Sequence, residues 1–205
     1  MRIGVDLDNT LVCYDEVFWK LATEREWIAP DVPRSKELVR DELRRLGRES
    51  DWTLLQGEVY GPRMNEATPF PNAWEALRTF RERGWSVFVV SHRTRVPFAG
   101  PSFDLHAAAR DWLAWHGFLE EPKTGLCQGG VHLETTKQEK MARIGSLKLN
   151  WFIDDLPELL LEPDFPASVR KMLFDPHCHR PPLSEPIVMV HHWREVSDLI
   201  SREGC

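Results

Sequence analysis

The chain predicts an α/β fold: a mostly parallel sheet with helices on both faces, interrupted by a small helical insertion. Three observations lead there. Short apolar runs rich in Val, Ile, Phe and Trp alternate with amphipathic helical stretches, the spacing of βαβ units. Several of these runs are apolar at nearly every position, as strands covered on both faces are. Three of them end abruptly on polar residues, at Asp6 and Asp8, at Ser91, and at Asp154 and Asp155.

The elements follow in order. Ile3-Gly4-Val5 leads into Asp6-Leu7-Asp8, and Asn9 and Thr10 make a turn before apolar character resumes at Leu11. Helical periodicity then begins at Glu16–Ala22. It resumes from Ser35, the expected N-cap, to Leu46, with Leu38, Val39, Leu43 and Leu46 on one stripe. Pro30 and Pro33 separate the two, and Asp51–Gln56 starts a third helix. The expected division is a core of residues 1–12 and 70–205 with a helical insertion over 13–69.

Past Pro69 and Pro71, Asn72 is placed to cap a helix carrying Trp74, Leu77 and Phe80 that stops near Gly84. Trp85–Ser91 is the second buried strand, His92–Phe103 a loop, and Asp104–His116 a helix. A short strand at Gly130–Glu134 precedes a helix capped by Thr135 or Thr136, with Glu139 completing a capping box. Lys148–Ile153 is a strand ending on Asp154-Asp155; Val169–Phe174 and Ile187–Val190 are further strands, and Trp193–Ile200 closes the chain. Asp175-Pro176-His177-Cys178-His179 reads as a strand exit and turn, with no second ligand pair at the spacing a zinc site needs.

Composition narrows the function. At 205 residues the chain can bury a real core, and a net charge of -6 with no basic run argues against a nucleic-acid polymer as partner. The densest basic cluster, Arg40, Arg44, Arg45 and Arg48, is interleaved with Asp41, Glu42 and Glu49 and reads as a solvated helix face. No segment has the length of a membrane span and no signal peptide is visible, so a cytoplasmic protein without a membrane partner is expected. Cys13, Cys127, Cys178 and Cys205 are dispersed, which suits free thiols in a reducing compartment.

In a parallel sheet the carboxyl ends of the strands converge on one rim, so Asp6, Asp8, Ser91, Asp154 and Asp155 become neighbours, and the helix after Thr136 presents a lysine there. Asp6 and Asp8 are two apart and return to the same side of an extended chain.

Asp6-Leu7-Asp8-Asn9-Thr10 resembles motif I of the haloacid dehalogenase (HAD) superfamily. Ser91, a lysine, and the apolar strand ending in Asp154-Asp155 are similar to its motifs II to IV, in the same order and on the same kinds of element. The resemblance covers roughly residues 1–12 and 70–175 and implies a Rossmann-like hydrolase core with a cap between motifs I and II. It implies that Asp6 attacks phosphorus, that Asp8 is the acid and base, and that Ser91 and a lysine hold the phosphoryl oxygens. The lysine is Lys137 in the first turn, with Lys140 as the alternative. Mg²⁺ is the implied cofactor, held by Asp6, Asp154, the backbone carbonyl of Asp8 and, directly or through water, Asp155. Asn9, Thr10, His92 and Arg93 are the candidate substrate contacts, with Arg93 or Arg95 offering a site for a second anion or simply standing solvated in the loop.

An acid two residues after the nucleophile marks phosphatases in the family and is lacking in its dehalogenases, so Asp8 points to phosphate esters. A cap encloses small substrates, which makes a small phosphorylated metabolite, such as a sugar phosphate, the expected partner. Trp19, Trp52, Tyr60 and Arg63 of the insertion are candidate contacts that core packing would equally explain. A nucleotidase is the near alternative, and a non-catalytic phospholigand-binding protein on the same fold is the distant one. The oligomeric state is left open.

Overall fold

The strands form where the sequence is apolar on consecutive positions, because each central strand is covered on both faces and no solvent side remains to be polar. In the computed structural model, residues 1–181, 183 and 187–203 are described. The elements in chain order are β1 (Arg2–Val5), β2 (Val12–Cys13), α1 (Asp15–Glu24), α2 (Lys36–Arg45), α3 (Glu49–Val59), β3 (Thr68–Pro69), α4 (Ala73–Glu82), β4 (Ser86–His92) and α5 (Leu105–Trp115). They continue with α6 (Glu121–Thr124), β5 (Val131–Glu134), α7 (Lys137–Ser146), β6 (Trp151–Asp154), α8 (Pro157–Leu160), β7 (Arg170–Phe174), β8 (Ile187–Val190) and α9 (Trp193–Glu203). Two compact units result. One comprises Met1–Leu11, Pro69–Arg93 and the chain from Leu113 onward; the other comprises Val12–Thr68 and Thr94–Trp112.

The first unit is built on a six-stranded sheet in the order β5-β4-β1-β6-β7-β8, with every pair parallel. From β1 the chain winds one way, to β4 and β5, and then the other way, to β6, β7 and β8. The winding therefore reverses between β1 and β6, and in open α/β sheets the crevice outside the strand ends at such a switch point is where ligands bind. Asp6 follows β1 directly and Asp154 is the last residue of β6.

Gly4 lies at the centre of this arrangement. A Cβ there would lie 2.3 Å from Leu149 Cδ1 and 2.7 Å from Phe152 Cδ2, so only glycine lets β1 approach the Phe152 ring of β6. Phe152 belongs to a buried cluster with Ile144, Leu149, Leu160 and Leu173 that seats α7 and α8 on the sheet. The capping box opens α7 as expected, with the Thr136 hydroxyl accepting from Glu139 N at 3.1 Å and Glu139 accepting from Thr136 N at 3.0 Å. Asn72 departs from expectation: it stands in the left-handed region at φ 67 and makes no side-chain cap to α4, and its Oδ1 instead accepts from Arg194 Nε at 3.1 Å.

The second unit contains the three helices expected of the insertion, and Ser35 caps α2 by accepting from Leu38 N at 3.5 Å. Its aromatic residues pack against one another: Trp52 stacks on Phe18 at 4.8 Å and Tyr60 meets Tyr14 edge-on at 5.1 Å. Trp19 donates to Val32 O at 2.8 Å, and Arg63 pairs with Glu66. Residues 94–112, expected in the core, group instead with the insertion. The physical reason is Gly57 and Gly61, whose missing side chains leave room for the loop: a Cβ on Gly57 would meet Pro97 at 2.9 Å, and one on Gly61 would meet Phe103 at 3.1 Å. Trp112 adds a hydrogen bond to Ala67 O at 2.8 Å.

The arginines of α2 and the turn after it are paired with Asp41, Glu49, Glu42 and Asp51, as a solvated face requires. Cys13, Cys127 and Cys178 are free thiols, while Cys205 lies outside the described residues. Among the described residues no helix is long and apolar enough to cross a membrane.

Candidate functional site

The turn after β1 is shaped by its own sequence. Asn9 adopts φ 55, a left-handed conformation that asparagine tolerates better than most residues, and Leu11 N closes the turn onto Leu7 O at 3.1 Å. Thr10 is fully buried, and its carbonyl accepts from the Trp193 indole at 2.9 Å, which pins the turn to α9. Asp6 N donates to Ile153 O at 2.8 Å, so the ladder between β1 and β6 extends to the residue that carries the first carboxylate.

Around that carboxylate the structure gathers Asp6, Asp154 and Asp155, each offering an oxygen within 4.8 Å of the others. Lys140 joins them: its Nζ donates to Asp6 Oδ1 at 2.6 Å and to Asp154 Oδ2 at 2.7 Å, and all three side chains are buried. Asp154 Oδ1 accepts from Leu156 N at 2.9 Å, and Asp155 Oδ2 accepts from the Asn9 amide at 3.2 Å. The ammonium stands 5.4 Å from the centroid of the Phe152 ring, so the residue that Gly4 admits also floors the lysine.

Of the two candidate lysines, the structure brings Lys140 to the acids and not Lys137. Lys137 is half exposed and pairs with Glu162 away from the acids. Helical side chains lean toward the helix N-terminus, so a surface point is covered by a residue C-terminal to it. A first-turn residue therefore projects beyond the rim, whereas one a turn deeper reaches back to it.

The electrostatics follow from burial. The Asp6 carboxyl is pushed up to about 7, first by loss of solvent, against the attraction of Lys140 and with added repulsion from Asp154 and Asp8. Lys140 is held above the ordinary lysine range: burial opposes its charge, but Asp154 and Asp6 outweigh it. With all groups ionised, three carboxylates against one ammonium leave a charge of -2 (-3 + 1). That deficit, on hard oxygen donors alone, is what a divalent cation such as Mg²⁺ fits.

Asp8 adds its repulsion to Asp6 but pairs with a different cation. Its carboxylate is paired with Arg93, whose guanidinium is almost wholly buried. Ser91 is buried near the end of β4, beside Leu133 of β5. His92 is exposed, and its Nε2 lies 3.1 Å from Thr135 O, to which it donates. Arg95 pairs with Asp104 at 3.6 Å. The rim thus holds Asp6, Asp154, Asp155, Asn9 and Lys140 in one cluster and Asp8 with Arg93 in a second. Sequence reading missed the roles of Asn9 and Arg93 as partners of carboxylates; the shared parity of Asp6 with Asp8 and of Ser91 with Arg93 on neighbouring strands was the available signal.

No protein-family profile matches the chain. In sequence it is 22% identical over 213 residues, 99% of this chain and 100% of the other, to a Bacillus cereus protein provisionally named a nucleotidase. In structure it superposes on a HAD-like family hydrolase from Xanthomonas campestris with a TM-score of 0.56 at 10% identity, covering 98% of this chain and 95% of that one. It superposes equally, at 0.56 and 13% identity over 98% of both chains, on an L-2-haloacid dehalogenase. A magnesium-bound HAD protein of Bacillus subtilis, YfnB, gives 0.55 at 10% identity over 97% of both. The fold is that of the haloacid dehalogenase superfamily. The α/β core of the superfamily accounts for the parallel sheet, and the four features resembling its motifs lie at the ends of β1, β4 and β6 and on α7, where the geometry above places them.

Proposed function

We propose that this chain is a Mg²⁺-dependent phosphohydrolase that cleaves a small-molecule phosphate monoester through an aspartyl-phosphate on Asp6. The observation that carries the reading is the buried Lys140 bridging Asp6 and Asp154 beside Asp155, with a second acid, Asp8, held separately two residues from the first. A binding module needs neither an acid whose ionisation is made costly nor two acids kept on different partners.

Asp6 attacks phosphorus, forming an Asp6 O–P bond as the P–O ester bond breaks, and Asp8 supplies the proton to the leaving oxygen. Asp8 then takes a proton from the water that attacks phosphorus and returns Asp6 to its free form. Lys140 and the Ser91 hydroxyl hold phosphoryl oxygens as charge accumulates on them. Asp6, Asp154, Asp155 and the Asp8 carbonyl would hold Mg²⁺, which supplies positive charge that keeps Asp6 ionised and offsets its repulsion from phosphate. Asp8 speaks against dehalogenation, which needs no proton delivered to a halide.

The substrate is a sugar phosphate or a similar cytoplasmic metabolite; nucleoside monophosphates stand beside it because of the Bacillus cereus relative. The test is phosphate release from sugar phosphates, nucleotides and an aryl phosphate, with Mg²⁺ and with chelator, and Asp6→Asn as control. Release that requires Mg²⁺ and vanishes in Asp6→Asn is expected. Release that survives in Asp6→Asn would end the covalent mechanism.

A further inference from the structure

The Arg93 guanidinium is nearly inaccessible, with a side chain 2% exposed, while that of its partner Asp8 is 20% exposed. Its own backbone is fixed, since Arg93 N, just past β4, donates to the carbonyl of Glu134, the last residue of β5, at 2.7 Å. Two buried cations thus meet three of the rim carboxylates, Lys140 pairing with Asp6 and Asp154, and Arg93 with Asp8. We propose that Arg93 is a positioning residue that fixes the Asp8 carboxylate for proton transfer, and that it does not contact the substrate anion. The inference rests on the phosphatase reading of the same site.

Three features support it. Asp8 lies past the end of β1, at an isolated bridge outside the six-stranded ladder, so its side chain needs an external hold. Proton transfer demands heavy-atom approach of about 2.6–3.2 Å, and a displacement of roughly 1 Å costs on the order of 100-fold. A planar guanidinium fixes the direction of a carboxylate in a way that a freely rotating ammonium does not.

The experiment is a double-mutant cycle of Arg93→Met and Asp8→Asn, read on two substrates with Mg²⁺. One is an alkyl phosphate, whose leaving alkoxide needs a proton; the other is an aryl phosphate of acidic phenol, followed in the phenolate burst that reports phosphorylation of Asp6. Arg93→Met should lower kcat on the alkyl ester by roughly 10²-fold, within the range of general acid catalysis, with KM changed by less than about threefold. The aryl burst should barely slow. In the Asp8→Asn background the arginine change should add less than about threefold, because the group it orients is gone. Arg93→Lys, which keeps the charge and loses the planar guanidinium, should recover part of the loss and serves the same cycle if Arg93→Met does not fold.

Equal losses on both substrates, additive losses in the cycle, or a loss confined to KM would overturn the inference and return Arg93 to phosphate binding or to structure. A wild-type protein with no Mg²⁺-dependent burst on any ester would instead overturn the phosphatase reading, and this inference with it.

Discussion

Replacing Lys140 by methionine and, separately, Lys137 by methionine gives the sharpest test of how the site is assembled. The two lysines lie one helical turn apart but in opposite environments: the Lys140 side chain is 3% exposed, and that of Lys137 50%. At an effective dielectric of about 20, opposite unit charges at the 2.6 Å separating Lys140 Nζ from Asp6 Oδ1 attract by about 6 kcal/mol before desolvation is counted. The loss of solvation around three buried groups removes much of this. Deleting one partner of such a pair, however, leaves buried carboxylates uncompensated and typically costs about 3–5 kcal/mol. In a chain of 205 residues that is a fall in Tm of roughly 10 °C or more. The exposed pair of Lys137 with Glu162 contributes less than about 1 kcal/mol. Thermal unfolding at pH 8 in chelator should therefore separate the variants clearly. Phosphate release should fall by about 10²–10³-fold in Lys140→Met, the loss of one transition-state donor, and stay near wild type in Lys137→Met. Equal stability of the two variants, or greater loss of activity on changing Lys137, would refute the assignment of the lysine and the electrostatic argument built on it.

Other outcomes follow from the same geometry. Because the folded-state Asp6 carboxyl titrates at about 7 and its ordinary value is 3.8, the folded chain binds that proton more tightly than the unfolded chain. This group therefore costs the metal-free protein stability as pH rises from about 4 to about 7, and Asp6→Asn should melt higher than wild type at pH 8 and alike near pH 4. Asn9→Gly keeps the left-handed turn but loses the amide that holds Asp155 Oδ2, so Mg²⁺ affinity measured by calorimetry should weaken by about tenfold while the Tm of the metal-free protein barely moves. Gly4→Ala drives a methyl into Leu149 and Phe152 and should destabilise the protein by about 1–3 kcal/mol in urea unfolding. Glu66 is held down to about 2, chiefly by its hydrogen bonds to Arg63 and with help from Lys20. That stability is present above its ordinary 4.5 and lost as pH falls toward 2. With the Glu66 side chain 29% exposed, Glu66→Gln should cost only about 1 kcal/mol at pH 7, and nothing near pH 2.

The parallel core was legible because buried strands cannot disguise themselves: Ile3-Gly4-Val5, Val87–Val90 and Trp151–Ile153 are apolar on consecutive residues, and each is followed at once by the polar group it delivers. Local chemistry at helix starts was legible for the same reason, as at Ser35 and Thr136, where a short-range pattern settles the cap. Asn72 failed because the left-handed backbone at that position suited asparagine for a reason unrelated to capping, and its side chain found Arg194 more than a hundred residues away. The assignment of Thr94–Trp112 failed because the deciding signal, Gly57 and Gly61, lies in another segment and is an absence of side chain. No periodicity within residues 94–112 could have announced it.

The lysine is the instructive case, since both candidates satisfied the sequence pattern and only side-chain direction separated them. Lys137 is nearer the rim along the helix axis, which made it the natural choice, but its side chain leans outward past the first turn to Glu162. Lys140 starts lower, lies in the same helix as the buried Ile144, and runs back up past Phe152 to the acids. A long cation delivered from below reaches the site through the protein interior, with water excluded along its length, and this is why Asp6 and Asp154 can hold it above the ordinary lysine range despite the cost of burial. The same burial leaves Asp6 short of positive charge. A lysine placed in the first turn would have been solvated, its charge screened, and the acids would have kept neither the strain that favours a divalent cation nor the fixed geometry that a nucleophile needs.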